Sequence, residues 1–184
     1  MMAEYTFTLI IQGDVDGHLD ELFEAGCGDA TFGSVDGIPY AEFDRIAPTM
    51  LQAVSSAINA IETISGLQVI RIEPDDLVTA SEIAQRLGRS RESVRLLISG
   101  ARGPGGFPAP ISHLRARHRL WHWSEIAIWA KQDEPSKRQE AQLLAATNAV
   151  LDLRGQRARL THDERAFVDQ LAQTTKAAIP LQWK

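Results

Sequence analysis

The residues best suited to chemistry with an anion are gathered in one short segment. Residues 79–98 read TASEIAQRLGRSRESVRLLI, and here Arg89, Arg91 and Arg95 are interleaved with Ser90 and Ser93. An arginine fork binds a guanine edge or a phosphate bidentately, and serine hydroxyls suit phosphates or base edges. Arg102, His113, Arg115, Arg117 and Arg119 extend the basic character downstream. Residues 77–123 hold eight arginines against two glutamates, a net of +6, whereas residues 1–76 hold 14 acidic residues against two arginines, a net of −12. Residues 124–184 are close to balanced at +1. A basic block inside an acidic chain points to a local anionic partner. The competing reading is a solvated face whose arginines pair with the acidic half of the same chain.

Two short helices are expected to hold these side chains. Thr79 and Glu82 have capping-box spacing, so a helix starts at Ala80 and buries Ile83, Ala84 and Leu87. Gly88 supplies the left-handed conformation needed to stop it sharply. Ser90 then caps a second helix, whose Val94, Leu97 and Ile98 face inward. Two such helices joined by about three residues form a helix-turn-helix, and Arg89, Ser90, Arg91, Ser93 and Arg95 lie on the outward side of its second helix. A pair that packs only within the protein is the alternative, but its outer face would be mixed rather than basic.

Downstream, FPAPIS and HRLWHW read as two strands around a basic tip containing His113, Arg115, Arg117 and His118. Ser124 is expected to cap a following helix that includes Ile126, Ala127, Ile128 and Trp129. The small residue Ala84, Gly88 four positions on, and the apolar Val94 and Leu97 six and nine after that glycine match the helix-turn-helix pattern. Phe107 to Pro110, the basic tip, and the Leu120 to Ile126 junction complete it. Over residues 77–131 the chain resembles the MerR and excisionase-like winged helix-turn-helix proteins. The resemblance implies a second helix in the major groove and a wing tip gripping backbone or minor groove. It also implies dimerisation through C-terminal helices, matching palindromic DNA.

The flanks complete an α+β architecture. Residues 1–75 follow the order βαββαβ, suiting a ferredoxin-like sandwich. Strands are expected at 5–12, around a Ser34–Gly37 turn, and at 67–73, where Leu67, Val69 and Arg71 share one face and Gln68, Ile70 and Ile72 the other. Leu19, Leu22 and Phe23 are expected to form the face of a first helix. Leu51, Val54, Ile58 and Ile61 do so for a second, ending at Gly66. Residues 76–133 hold the winged helix-turn-helix, and 134–184 a C-terminal helical hairpin. Its first helix is expected from Lys137 to Leu153, after a Ser136–Gln139 cap and before a break at Gly155, with Leu144, Asn148 and Leu151 on one side. Its second runs from His162 to about Lys176, with Phe167, Val168, Leu171 and Ala172 inward.

Other chemistries find weaker support. GDVDGH lacks the distal glutamate of a calcium loop and reads as an acidic turn. Cys27, the single cysteine, has no basic neighbour in sequence and reads as a structural thiol. His113, His118 and His122 lack supporting ligands for zinc. GARGPGG lacks the lysine ending of a phosphate loop. Two or more of Trp121, Trp123 and Trp129 are expected to be core anchors rather than base-stacking platforms. The expected class is a cytoplasmic, non-enzymatic, homodimeric DNA-binding regulator without cofactor or metal. It would have double-stranded DNA as partner, no membrane contact, and a possible protein partner or small-molecule effector at the acidic domain. The alternative is an antitoxin or phage-type adaptor whose acidic domain binds a protein.

Overall fold

Alternating burial builds the first sheet. In β1 (Ala3–Gln12), Phe7, Leu9 and Ile11 point into the core while Thr6, Thr8 and Ile10 point away. β2 (Ala30–Val35) and β3 (Ile38–Ala47) form a hairpin whose two-residue turn places Asp36 at φ 52° and Gly37 at φ 79°. This doubly positive conformation matches the right-handed strand twist. β4 (Gln68–Glu73) completes an antiparallel sheet of order β2-β3-β1-β4. This description comes from a computed structural model covering residues 1–112, 119–130 and 135–173. Among these residues the fold is mixed α+β, with seven α-helices, the four-stranded sheet and a second, two-stranded sheet. No helix among them is long and apolar enough to cross a membrane.

The chain divides into two compact units, Met1–Asp75 with Gln139–Asp152, and Asp76–Arg138 with Leu153–Lys184. In the first, α1 (Leu19–Leu22) runs into a wide turn at Phe23–Cys27, where Gly26 adopts φ 97°. Of the face expected there only Leu22 is buried, whereas Leu19 and Phe23 are exposed. α2 (Met50–Glu62) is capped by Thr49, whose hydroxyl accepts from the Gln52 amide at 3.2 Å. Its core face is Met50, Ala53, Val54, Ala57, Ala60 and Ile61; Leu51 is exposed. Small residues let the helix approach the sheet closely, so the stripe is set by alanines rather than by the largest side chains. The expected alternation in β4 also fails. Ile10 pairs with Arg71 but Ile11 pairs with Val69, so Ile70 is the extra residue of a bulge. Val69 and Ile72 therefore both reach the core.

Long-range polar bonds close this unit. Asn148, on α6 (Pro135–Arg157), is buried and pairs with the outer edge of β4. Its Oδ1 accepts from the Ile72 amide at 2.8 Å and its Nδ2 donates to the Ile72 carbonyl at 2.9 Å. A side-chain amide thus satisfies edge groups that another chain would otherwise pair with. Leu144 and Leu151 of the same helix join the sheet core, as their spacing predicts. α6 already includes Ser136 and continues through Gly155, which is exposed and does not break it. The roughly 1 kcal/mol cost of an exposed helical glycine is too small to end an otherwise continuous helix. Cys27 is buried, and burial pushes its thiol up, as befits a structural residue.

Arg45 of β3 is also buried. Its guanidinium donates to both Asp29 oxygens at 2.8 and 2.7 Å, to Ser56 Oγ at 2.9 Å and to the Gly26 carbonyl at 2.6 Å, and lies 4.7 Å from the Phe43 ring centroid. The Arg45 hydrogen bond holds the Asp29 carboxyl below its usual range. That contribution to stability is complete above the ordinary carboxylate range and is lost as pH falls through the lowered folded-state value. Asp29→Asn should therefore cost about 2 kcal/mol at neutral pH and flatten the acid limb of the stability curve. Tyr5 and Tyr40, the chain's two tyrosines, both lie in this unit and report its unfolding.

Candidate nucleic-acid interface

The second unit opens with β5 (Leu77–Val78), which pairs antiparallel with β6 (Trp121–His122). α3 (Ala80–Arg86) follows, with the reciprocal cap expected of it. The Thr79 amide donates to Glu82 Oε2 at 2.7 Å and the Glu82 amide to Thr79 Oγ1 at 3.3 Å. At its far end Gly88, at φ 61°, lets the Arg89 amide reach the Ala84 carbonyl at 2.8 Å while its own amide bonds the Gln85 carbonyl at 3.1 Å. This paired closure uses up the last carbonyls of α3 and turns the chain at once. α4 (Arg91–Ile98) starts immediately, with Ser90 Oγ accepting from the Ser93 amide at 3.1 Å. Val78, Ile83, Ala84, Val94, Trp121 and Ile126 form one buried cluster beneath the two helices, and Leu97 is buried as well.

With those faces turned inward, Arg89, Arg91 and Arg95 are exposed and Ser93 is half-buried. Arg89 and Arg91 form no ion pair with any described residue. Arg95 differs: its Nε and Nη2 donate to the two Glu92 oxygens at 2.9 and 2.7 Å, and this contact lowers the Glu92 pKa. Ser90 serves first as a helix cap, leaving its hydroxyl proton free to donate. Arg102 and Arg119 are exposed. His113, Arg115 and Arg117, together with His118, lie outside the described residues.

A glycine-rich loop follows α4. Gly103, at φ 91°, passes so close to Leu97 that a β-carbon would sit 2.6 Å from its Cδ2. FPAPIS does not form the expected strand; a single bridge joins Ser112 to Leu120, with the Ile111 amide donating to the Leu120 carbonyl at 2.9 Å. Pro108 and Pro110 have no amide proton to offer a ladder. Side chains hold the segment instead: Trp121 Nε1 donates to the Pro108 carbonyl at 3.1 Å, Trp129 Nε1 donates to the Gly105 carbonyl at 2.9 Å, and Phe107 meets both rings edge-on. Trp121 is buried, and Trp123 packs on the core beneath the Arg86 guanidinium at 5.2 Å. The tryptophans thus act as anchors.

α5 (Trp123–Trp129) is not capped by Ser124. Asp76, buried just before β5, does this from 48 residues away: its Oδ1 accepts from the Ser124 amide at 2.7 Å and its carbonyl from the Trp123 amide at 2.6 Å. Asp76 Oδ2 also meets His122 Nδ1 in a short contact. Nearby, Glu125 Oε2 is buried without a hydrogen-bond partner, and desolvation pushes that carboxyl up. Sequence spacing could not reveal Asp76, because the groups it binds are not its neighbours in the chain. In α7 (His162–Gln173), the Thr161–Glu164 cap forms, but no residue is buried, and Phe167, Leu171 and Ala172 are exposed rather than inward. No group of three metal-binding side chains occurs among the described residues. No protein-family model, curated protein or solved structure matches the chain.

Proposed function

We propose that this chain is a sequence-specific DNA-binding protein, a bacterial transcriptional regulator of the MerR and excisionase-like winged helix-turn-helix kind. In this reading α3 and α4 are the helix-turn-helix, and α4 is the recognition helix in the major groove. The segment from Phe107 to β6 is the wing, and residues 1–75 are a ferredoxin-like βαββαβ domain. The observation that carries the reading is the outward pair Arg89 and Arg91. They stand at the N-terminal end of a short helix whose opposite face is fully committed to the core, and no described carboxylate neutralises them. Arginines placed there are available for guanine edges or phosphates. The exposed Phe167 and Leu171 of α7 favour a homodimer joined through C-terminal helices.

Selection of bound duplexes from a random pool tests this directly. The expected outcome is an enriched site with two-fold symmetry, bound more tightly than scrambled DNA and with an affinity that falls steeply with salt. Failure to enrich any sequence, with equal binding to scrambled duplex, refutes it. The −12 balance of residues 1–76 favours a second reading, an antitoxin or adaptor that binds a basic protein. A stoichiometric protein partner captured by the full chain, together with no DNA selection, would decide for it.

A further inference from the structure

One face of the four-stranded sheet is covered by α2 and by Leu144 and Leu151 of α6, whose side chains join its core. The other carries a depression of about 450 Å³. Strand register dictates what lines it. Val35 pairs with Ile38 at the hairpin end, Tyr40 pairs with Ile10 in a neighbouring row, and beyond that Glu42 pairs with Thr8, which pairs in turn with Glu73. An apolar shelf two rows deep therefore abuts a row in which Thr8 stands between two glutamates. The shelf is built rather than incidental. Tyr40 lies flat over Gly33, where a β-carbon would come within 2.6 Å of its hydroxyl, so that glycine makes room for the ring. Val35 and Ile38 are more than half exposed, at 61% and 52%.

Charge decides the occupant. Asp44, one row further along, is already bonded by Thr6 Oγ1 at 2.7 Å. Glu42, Glu73 and the turn residue Asp36 have no ion-pair partner among the described residues, yet all three line the depression, and no lysine or arginine does. Arg71, the nearest cation by register, is already held by Asp75 at 2.5 Å and by Asp152 at 3.1 Å. Two strand spacings separate the glutamate strands, about 10 Å, and two side-chain rows along a strand span about 7 Å. These dimensions suit one ring system with a short cationic arm, not an extended protein surface.

We propose that this sheet face is a binding site for a small amphipathic organic cation. The flat apolar body lies on Ile10, Ile38 and Tyr40, and an ammonium or amidinium group sits over Thr8 between Glu42 and Glu73. Apolar contact supplies the area and the paired carboxylates supply the selectivity for positive charge. The inference is independent of DNA binding.

Titration of the full-length chain with tryptamine, followed by calorimetry and by chemical shifts of the sheet, is the test. Indole-3-acetate, which has the same body and opposite charge, and spermidine, which has charge without a body, are the comparison probes. Saturable one-to-one binding of tryptamine alone is expected. The exposed-site double variant Glu42→Gln/Glu73→Gln should keep its fold and weaken binding by on the order of tenfold or more. The proposal is overturned if tryptamine fails to saturate at millimolar concentration, if indole-3-acetate binds as well, or if the double variant binds unchanged.

Discussion

The double variant Arg89→Ala/Arg91→Ala should lose essentially all discrimination between the selected DNA site and scrambled duplex. Each arginine that reads a base edge is worth roughly ten- to a hundredfold in affinity, and these two have no competing ion-pair partner among the described residues. Fluorescence anisotropy on both duplexes, repeated over a range of salt, separates the two contributions: lost base contacts remove specificity, and lost phosphate contacts lower the salt slope by about one per charge. Arg95 should behave differently. Its fork is occupied by Glu92, so a DNA contact must first break that pair, and Arg95→Ala should cost less than either of the others. Glu92→Gln should raise affinity, because it releases Arg95 and, in the proposed complex, removes a negative charge from the DNA-facing side. If Arg89→Ala/Arg91→Ala binds as the parent does, the basic face of α4 is not the interface.

Features resting on near neighbours were legible in the sequence. The Thr79–Glu82 and Thr161–Glu164 caps, the stop at Gly88 and the restart at Ser90 each join residues within five positions, where local geometry leaves few alternatives. The Asp36–Gly37 turn was legible for the same reason. Most of what escaped depends on partners far along the chain, although the break expected at Gly155 failed because one exposed helical glycine costs too little. The bulge at Ile70 arises from pairing with β1, which shifts the face of every later residue in β4. The Arg45–Asp29 fork and the Asn148 edge contact span 16 and 76 residues. α2 misled through size: hydrophobicity favours Leu51, but close packing on a sheet favours Ala53 and Ala57. In the candidate interface the sequence identified which residues are basic, and the fold adds that Glu92 neutralises one of them.

Asp76→Ala should strongly destabilise the second unit while leaving the first intact. The buried carboxylate serves two groups, the Ser124 amide and the His122 ring, and its own carbonyl receives the Trp123 amide. Alanine retains the carbonyl but orphans the start of α5, a loss of about 3 kcal/mol when a helix cap and a buried hydrogen bond vanish together. That is a large fraction of what a unit of this size has to spare. The described tryptophans, Trp121, Trp123 and Trp129, belong to the second unit, whereas both tyrosines belong to the first. Tryptophan emission should therefore shift at lower denaturant in Asp76→Ala while the tyrosine signal keeps its midpoint. Asp76→Asn, which preserves an acceptor for the Ser124 amide, should recover most of the difference. Parallel shifts of both signals would show instead that the units unfold as one. If DNA binding depends on α3 and α4 resting on this scaffold, Asp76→Ala should lose affinity for specific and scrambled duplex alike, though Asp76 lies on the buried side of the unit and no contact with DNA is assigned to it. That pattern is opposite to the loss of discrimination expected for Arg89→Ala/Arg91→Ala.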